Sequence, residues 1–256
     1  MARSLLADFA VRLACGLFLA LFLTSWRAVP LRFFRIQTQV ILGVLVLAGL
    51  AQARASGLTS GVWLIGAAAI LAYLGTVAWG LGLPRVGQAT CLLGVLATFG
   101  WMIDVSRGVD LGQWALNASS RGASGFLMGA TLTAMLLGHY YLIAPAMTIE
   151  PLKRVVAWIA VGLAARGLLA GIALAASRSS GLGPGSAGGG LPADGMLLAV
   201  RWGVGLAAAA LSVELTRRTV RIRSTQSATG ILYITTIFVL LGELTAMIGA
   251  GSGLIG

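Results

Sequence analysis

The stretch TGILYITTIFVLLGELTAMIGA, residues 229–250, decides the fold. It carries a single ionisable acid, Glu243, in a run long enough, at about 1.5 Å of rise per residue, to cross a hydrocarbon core of about 30 Å. Comparable apolar stretches lie at about 7–25, 36–52, 59–80, 86–103, 124–145, 155–177 and 195–215. Apolar residues make up 58% of the 256-residue chain and charged ones only 10%. A soluble domain needs roughly a quarter of its residues charged to stay in solution, so lipid is the expected solvent here. The pattern predicts an all-α polytopic transmembrane bundle of about eight helices.

The formal charge of +11 would suit a nucleic acid only if it were gathered on one soluble face. The arginines instead stand in ones and twos between apolar runs, so they read as topology signals and no nucleic-acid partner is expected. The odd-numbered connections carry Arg27, Arg32 and Arg35, then Arg85, then Lys153 and Arg154, then Arg217, Arg218, Arg221 and Arg223. The even-numbered ones carry only Arg54, Arg107, Arg121 and Arg178. Positive charge collects on the cytoplasmic side, so this bias predicts a multi-pass protein of the cell membrane with both termini outside. The basic start and apolar run at 1–26 raise the question of a signal peptide. Arg12 interrupts that run, and no small-residue cleavage site precedes a soluble domain, so it is read as the first span. Cys15 and Cys91 fall inside apolar runs without a CxxC spacing, which argues against a disulfide framework and against covalent haem.

Short internal matches suggest a repeat. Pro30-Leu31-Arg32 follows the first span and Pro151-Leu152-Lys153 the fifth; Gln88-Ala89-Thr90 opens the fourth and Ser227-Ala228-Thr229 the eighth. An acid follows each threonine at the same interval, Asp104 in one half and Glu243 in the other. The expected division is two tandem four-helix units, 1–123 and 124–256, side by side and parallel. The Gly-rich piece 177–195, SRSSGLGPGSAGGGLPADG, lacks the GK[ST] ending of a phosphate loop and reads as a linker inside the second unit.

Ionisable groups inside the spans are the candidates for chemistry, because each costs about 2.5–3.5 kcal/mol at the centre of a lipid-embedded helix. These are Arg12, His139, Arg166, Arg201, Glu214 and Glu243. Counted from the outer ends of their spans, Arg201 and Glu243 are level, with Arg166 somewhat deeper. Two guanidiniums and one carboxylate leave a net positive charge relay suited to an anion or a polarised carbonyl. The plainer reading is a salt bridge that fixes the packing of the last two helices. At the cytoplasmic level His139, Tyr140, Tyr233 and Glu214 form the candidate ligand-binding set, offering donors and a proton acceptor to a quinone head group. The alternative is an interfacial histidine with an aromatic belt, a role to which Trp63, Trp79, Trp101, Trp114, Trp158 and Trp202 are also assigned. No cluster has metal-ligand spacing, no lysine lies inside a span to form a Schiff base, and no catalytic residue is assigned.

The eight-helix, two-bundle plan with its late Leu-Leu-Gly-Glu-Leu stretch, residues 240–244, resembles the membrane subunits of polysulfide-reductase-type complexes, which bind quinol. The resemblance implies a subunit that handles quinone or protons for partner chains without a prosthetic group of its own; it carries no site residue over. Two other classes stand beside it: a transporter of a small anion built on Arg166, Arg201 and Glu243, and a scaffold whose buried charges only lock helices together. The basic segment 214–227 is expected to meet anionic lipid head groups.

Overall fold

The computed structural model describes residues 5–106, 111–144, 147–179 and 192–251. Among the described residues there is helix and no strand, as a chain whose backbone polar groups must be satisfied within lipid requires. The elements are α1 (Leu5–Leu23), α2 (Leu31–Ser56), α3 (Ser60–Gly80), α4 (Pro84–Ser106), α5 (Leu111–Ile143) and α6 (Glu150–Ser179). They are followed by α7 (Pro192–Ala199), a π-helical segment (Val200–Ala208), α8 (Ala209–Arg221) and α9 (Thr225–Gly251). α7, the π segment and α8 run on as one continuous seventh span. Among the described residues eight helices are long and apolar enough to cross a bilayer, so the protein is an all-α, multi-pass membrane protein.

Proline and glycine set the helix ends. Leu31 follows Pro30, α4 opens on Pro84 and α6 has Pro151 in its first turn, positions where a missing N–H costs nothing. α2 stops at Gly57, whose φ of 70° is open to glycine and whose N–H returns to the Ala53 carbonyl.

The packing follows the chain order. α1 lies on α2, α2 on α3, α3 on α4, and α4 returns to α1; α5 lies on α6, α6 on α8, α8 on α9, and α9 returns to α5. The main joint between the two rings is α1 on α5. α1 is accordingly the most enclosed span, with 67% of its most apolar stretch buried inside the protein, against 56% for α5 and less for every other.

Glycine makes that joint possible. A Cβ on Gly16 would fall within 1.7 Å of the Gly125 carbonyl oxygen, and one on Gly129 within 1.9 Å of the Gly16 carbonyl carbon. Gly125 and Gly129 are one turn apart, the small-xxx-small spacing that lets membrane helices touch backbone to backbone. Asp8 meets Arg121, Gly125 meets Arg12, and Gly129 meets Gly16, so the two helices run parallel and in register.

Two tryptophans expected in an interfacial belt are core residues instead. Trp79 and Trp101 are each 2% exposed. Trp79 of α3 lies over Gly87 of α4 and stacks on Phe34, ring centroids 4.5 Å apart; Trp101 of α4 lies over Gly61 of α3. The reciprocal ring-on-glycine contacts replace the missing Cβ atoms and lock α3 to α4. Trp63, on the same pair of helices, is 70% exposed, as an interface residue should be.

Candidate functional site

One turn of α5 organises the buried charge. α5 begins at Leu111, well before the expected start at 124, so Ser120, Arg121 and Ser124 lie within a helix and Arg121 is not a loop charge. On one side of this turn Arg121 Nη1 donates to Asp8 Oδ1 at 2.7 Å, and Arg12 grips the same carboxylate through Nε at 3.0 Å and Nη2 at 2.6 Å. On the other side Ser124 Oγ donates to Glu243 Oε2 at 2.6 Å, while Ser120 Oγ accepts from Arg166 Nη1 at 2.9 Å. Arg166 closes the loop, donating from Nε to Glu243 Oε1 at 2.7 Å. Both members of this pair are over nine-tenths buried. Every carboxylate and guanidinium in it has a partner, the condition under which buried charge is tolerated.

Arg201 is the exception. It is 8% exposed, and among the described residues it has no hydrogen-bond or ion-pair partner, although it lies within electrostatic reach of both Arg166 and Glu243. The formal sum over Arg166, Arg201 and Glu243 is +1 +1 −1, or +1. The sequence-based depth count set Arg201 level with Glu243 and so expected it to be the nearer partner; the structure gives that place to Arg166. The reason is the crossing of α9 with the seventh span, where a Cβ on Gly205 would come within 2.6 Å of Gly242 Cα. Gly205, not Arg201, therefore lies level with Gly242, and Arg201 sits about one turn nearer the end of the span. On the other side α6 packs closely on α5, Gly162 against Leu127, which delivers Arg166 to the carboxylate.

The seventh span is wound as a π-helix where it passes the site. The segment Val200–Ala208 includes Arg201, Gly203 and Gly205. Such turns are rare, bond i to i+5, and gather at functional sites because they open the backbone and redirect side chains. Between Arg166, Arg201, Gly205, Gly242 and Glu243 lies a cavity of about 10 Å³. That is about the space of one water-sized particle.

The four residues of the other candidate set are not gathered in the same way. His139 is exposed, Tyr140 packs edge-on against Phe33 with centroids 5.9 Å apart, and Tyr233 is 42% exposed. Glu214 is half-buried and pairs along its own helix with Arg218 at 3.0 Å and Arg217 at 4.0 Å. Among the described residues no hydrogen bond or ion pair joins any two of the four. Tyr141, beside them, is the buried member of its run, and its hydroxyl donates to the Thr148 carbonyl, tying the end of α5 to the approach to α6. A larger apolar groove of about 510 Å³ opens between α6 and the seventh span, and of the four only Glu214 lines it. Among the described residues no three His, Cys, Asp or Glu side chains cluster as metal ligands.

No protein-family model, curated protein or solved structure matches this chain.

Four members of the site were legible as charges in apolar runs: Arg12, Arg166, Arg201 and Glu243. Asp8, Arg121, Ser120 and Ser124 were missed. Asp8 stands four residues before Arg12, a spacing at which a helix brings acid and base together, and that signal could have drawn attention to it.

Proposed function

We propose that the protein binds a small monovalent anion inside the bilayer and carries it across, with Arg166 and Arg201 as the binding pair and Glu243 as the coupling acid. The observation that carries this reading is Arg201, a largely buried side chain whose guanidinium has no hydrogen-bond or ion-pair partner among the described residues, beside a pair that has already neutralised itself. An uncompensated cation in low dielectric attracts an anion, and the cavity beside it, about 10 Å³, excludes an extended substrate; chloride, which is larger than water, would enter as the surrounding side chains part. The π-wound, glycine-containing backbone at the same depth adds support, since broken helices at mid-membrane sites are the habit of transporters. Protonation of Glu243 would release Arg166 from its partner, giving the site a second cation for the anion and a proton to travel with it.

The test is chloride flux from liposomes reconstituted with the purified chain, with the membrane potential clamped. Wild-type protein should pass chloride, and Arg201→Gln should lower the rate about tenfold or more, the factor set by one charge-assisted contact of about 1.5–3 kcal/mol. No flux from folded wild-type protein sinks the proposal.

A second reading, a quinone-handling subunit of a redox complex, draws on the groove between α6 and the seventh span, whose size suits an organic ring with a tail. Glu214 and Arg217 at one end of the groove would supply the polar contacts. Quinone and partner chains recovered with the gently extracted protein would favour it.

A further inference from the structure

α6 and the seventh span face each other with small residues, Ala160, Ala164 and Gly167 on one side and Ala207 and Ala210 on the other, yet do not close up. Elsewhere in the protein small residues bring helices into backbone contact, as at Gly16 on Gly129 and Gly205 on Gly242. Here the same composition leaves an open furrow of about 510 Å³, running from Trp202 to Arg217, a length of about 22 Å at the helical rise. Its walls are apolar along most of its length, with Leu163, Leu206 and Val213 beside the small residues, and it lies open between two membrane spans.

Charge is concentrated at one end of this furrow. Arg217 lines it, and on the exposed surface around it stand Arg218, Arg221 and Arg223 at the end of α8, with Lys153 and Arg154 in the first turns of α6. Glu150 feels both Arg154 and Arg223, so the two helix ends are close. The carboxylates of the region are Glu150, paired with Lys153 at 2.8 Å, and Glu214, paired with Arg218 at 3.0 Å and more loosely with Arg217 at 4.0 Å. Six cations against two carboxylates leave an excess of four positive charges at the mouth of an apolar slot.

We infer that this groove is a specific site for one anionic phospholipid, with an acyl chain laid between α6 and the seventh span and the phosphate held by Arg217 and its basic neighbours. The furrow and the basic cluster fit one amphipath. The furrow removes a chain from bulk lipid without demanding a polar contact along its length, and the guanidinium cluster matches a phosphodiester at the head-group level, where each cation strengthens binding to anionic lipid. The lipid also fills the gap left beside the α6–α8 contact, so it acts as a removable strut beside the span that carries Arg201.

The experiment uses the full-length chain in nanodiscs of phosphatidylcholine containing a minor fraction of phosphatidylglycerol, extracted gently and weighed intact by native mass spectrometry. One phosphatidylglycerol should stay with each chain in preference to the abundant phosphatidylcholine. Arg217→Gln with Arg221→Gln should cut its retention by about tenfold or more, two cations' share. Ala164→Leu with Ala207→Leu, which fills the groove and leaves the basic end intact, should cut it likewise. The rise in thermal midpoint on adding phosphatidylglycerol serves as a second readout on the same proteins and should shrink in both variants. Retention that ignores head-group charge, retention that survives the filled groove, or a quinone in place of the lipid would each overturn the inference.

Discussion

Among the described residues, two glycine-on-glycine contacts press backbone against backbone, and they serve different ends. At Gly16 on Gly125 and Gly129 the contact welds α1 to α5, with the fully paired Asp8, Arg12 and Arg121 cluster one to two turns along the same seam. At Gly205 on Gly242 the flanking residues are Arg201 and Glu243, and the backbone on one side is π-wound. The first contact is between two regular helices in parallel register and has no freedom left. The second brings a loosened helix up to a carboxylate whose partner comes from a third helix, α6. The same steric device, a glycine pair, thus makes a joint in one case and aims a charge in the other.

The comparison breaks most violently at the seam. Gly129→Leu has nowhere to place its side chain, because the obstacle is the Gly16 main chain and not a movable rotamer. Overpacking costs of about 3 kcal/mol or more take a large part of any domain's stability, so monodisperse protein should be lost on extraction, as size-exclusion chromatography would report. A normal elution profile would mean that α1 and α5 stand farther apart than described.

Next in size is Glu243→Gln. Removing this carboxylate strands Arg166 among buried groups, a change expected to cost about 3 kcal/mol or more in thermal unfolding. Arg166→Gln combined with Glu243→Gln should recover most of that loss, because the neutral amides can still bond Ser120 and Ser124. If the double variant is stable but passes no chloride, the pair is functional; if it is stable and fully active, the charges only lock packing and the scaffold reading wins.

Gly205→Ala sharpens the other contact. One methyl against Gly242 Cα should cost about 1–3 kcal/mol and push the π segment away from α9, changing anion selectivity before it abolishes flux. An alanine variant indistinguishable from wild type in both stability and selectivity would show that the close approach is incidental to the site.

How much of this was legible follows from what each residue has to do. The spans announced themselves, since runs of about 20 apolar residues have few other uses. Arg166, Arg201 and Glu243 were visible because charge inside such a run is costly and therefore purposeful. The first turns of α5 were not, because LGQWALNASSRGAS, residues 111–124, is polar enough to read as a loop. It is helical because its polar side chains face Asp8, Arg166 and Glu243 instead of lipid, and hydropathy along the chain cannot register partners contributed by other helices. Trp79 and Trp101 were misread for a related reason: nearness to a span end says nothing about which side of the helix a ring faces. The π winding left no trace in composition beyond two glycines.

The smallest effect is expected at the chain's only histidine. His139 sits beside two tyrosines, but Tyr141 is buried and bonded to the Thr148 carbonyl and Tyr140 is packed on Phe33, while the imidazole itself is exposed and unbonded among the described residues. His139→Ala removes no buried contact, so its stability should stay within about 0.5 kcal/mol of wild type and chloride flux should be unchanged. The contrast with Glu243 is then between a titratable group held from two other helices, α5 and α6, and one held from none. A deficit in electron transfer to quinone with folding intact would reverse this assignment, moving the chemistry from the charged layer near α5 Ser124 to the opposite end of the same helix.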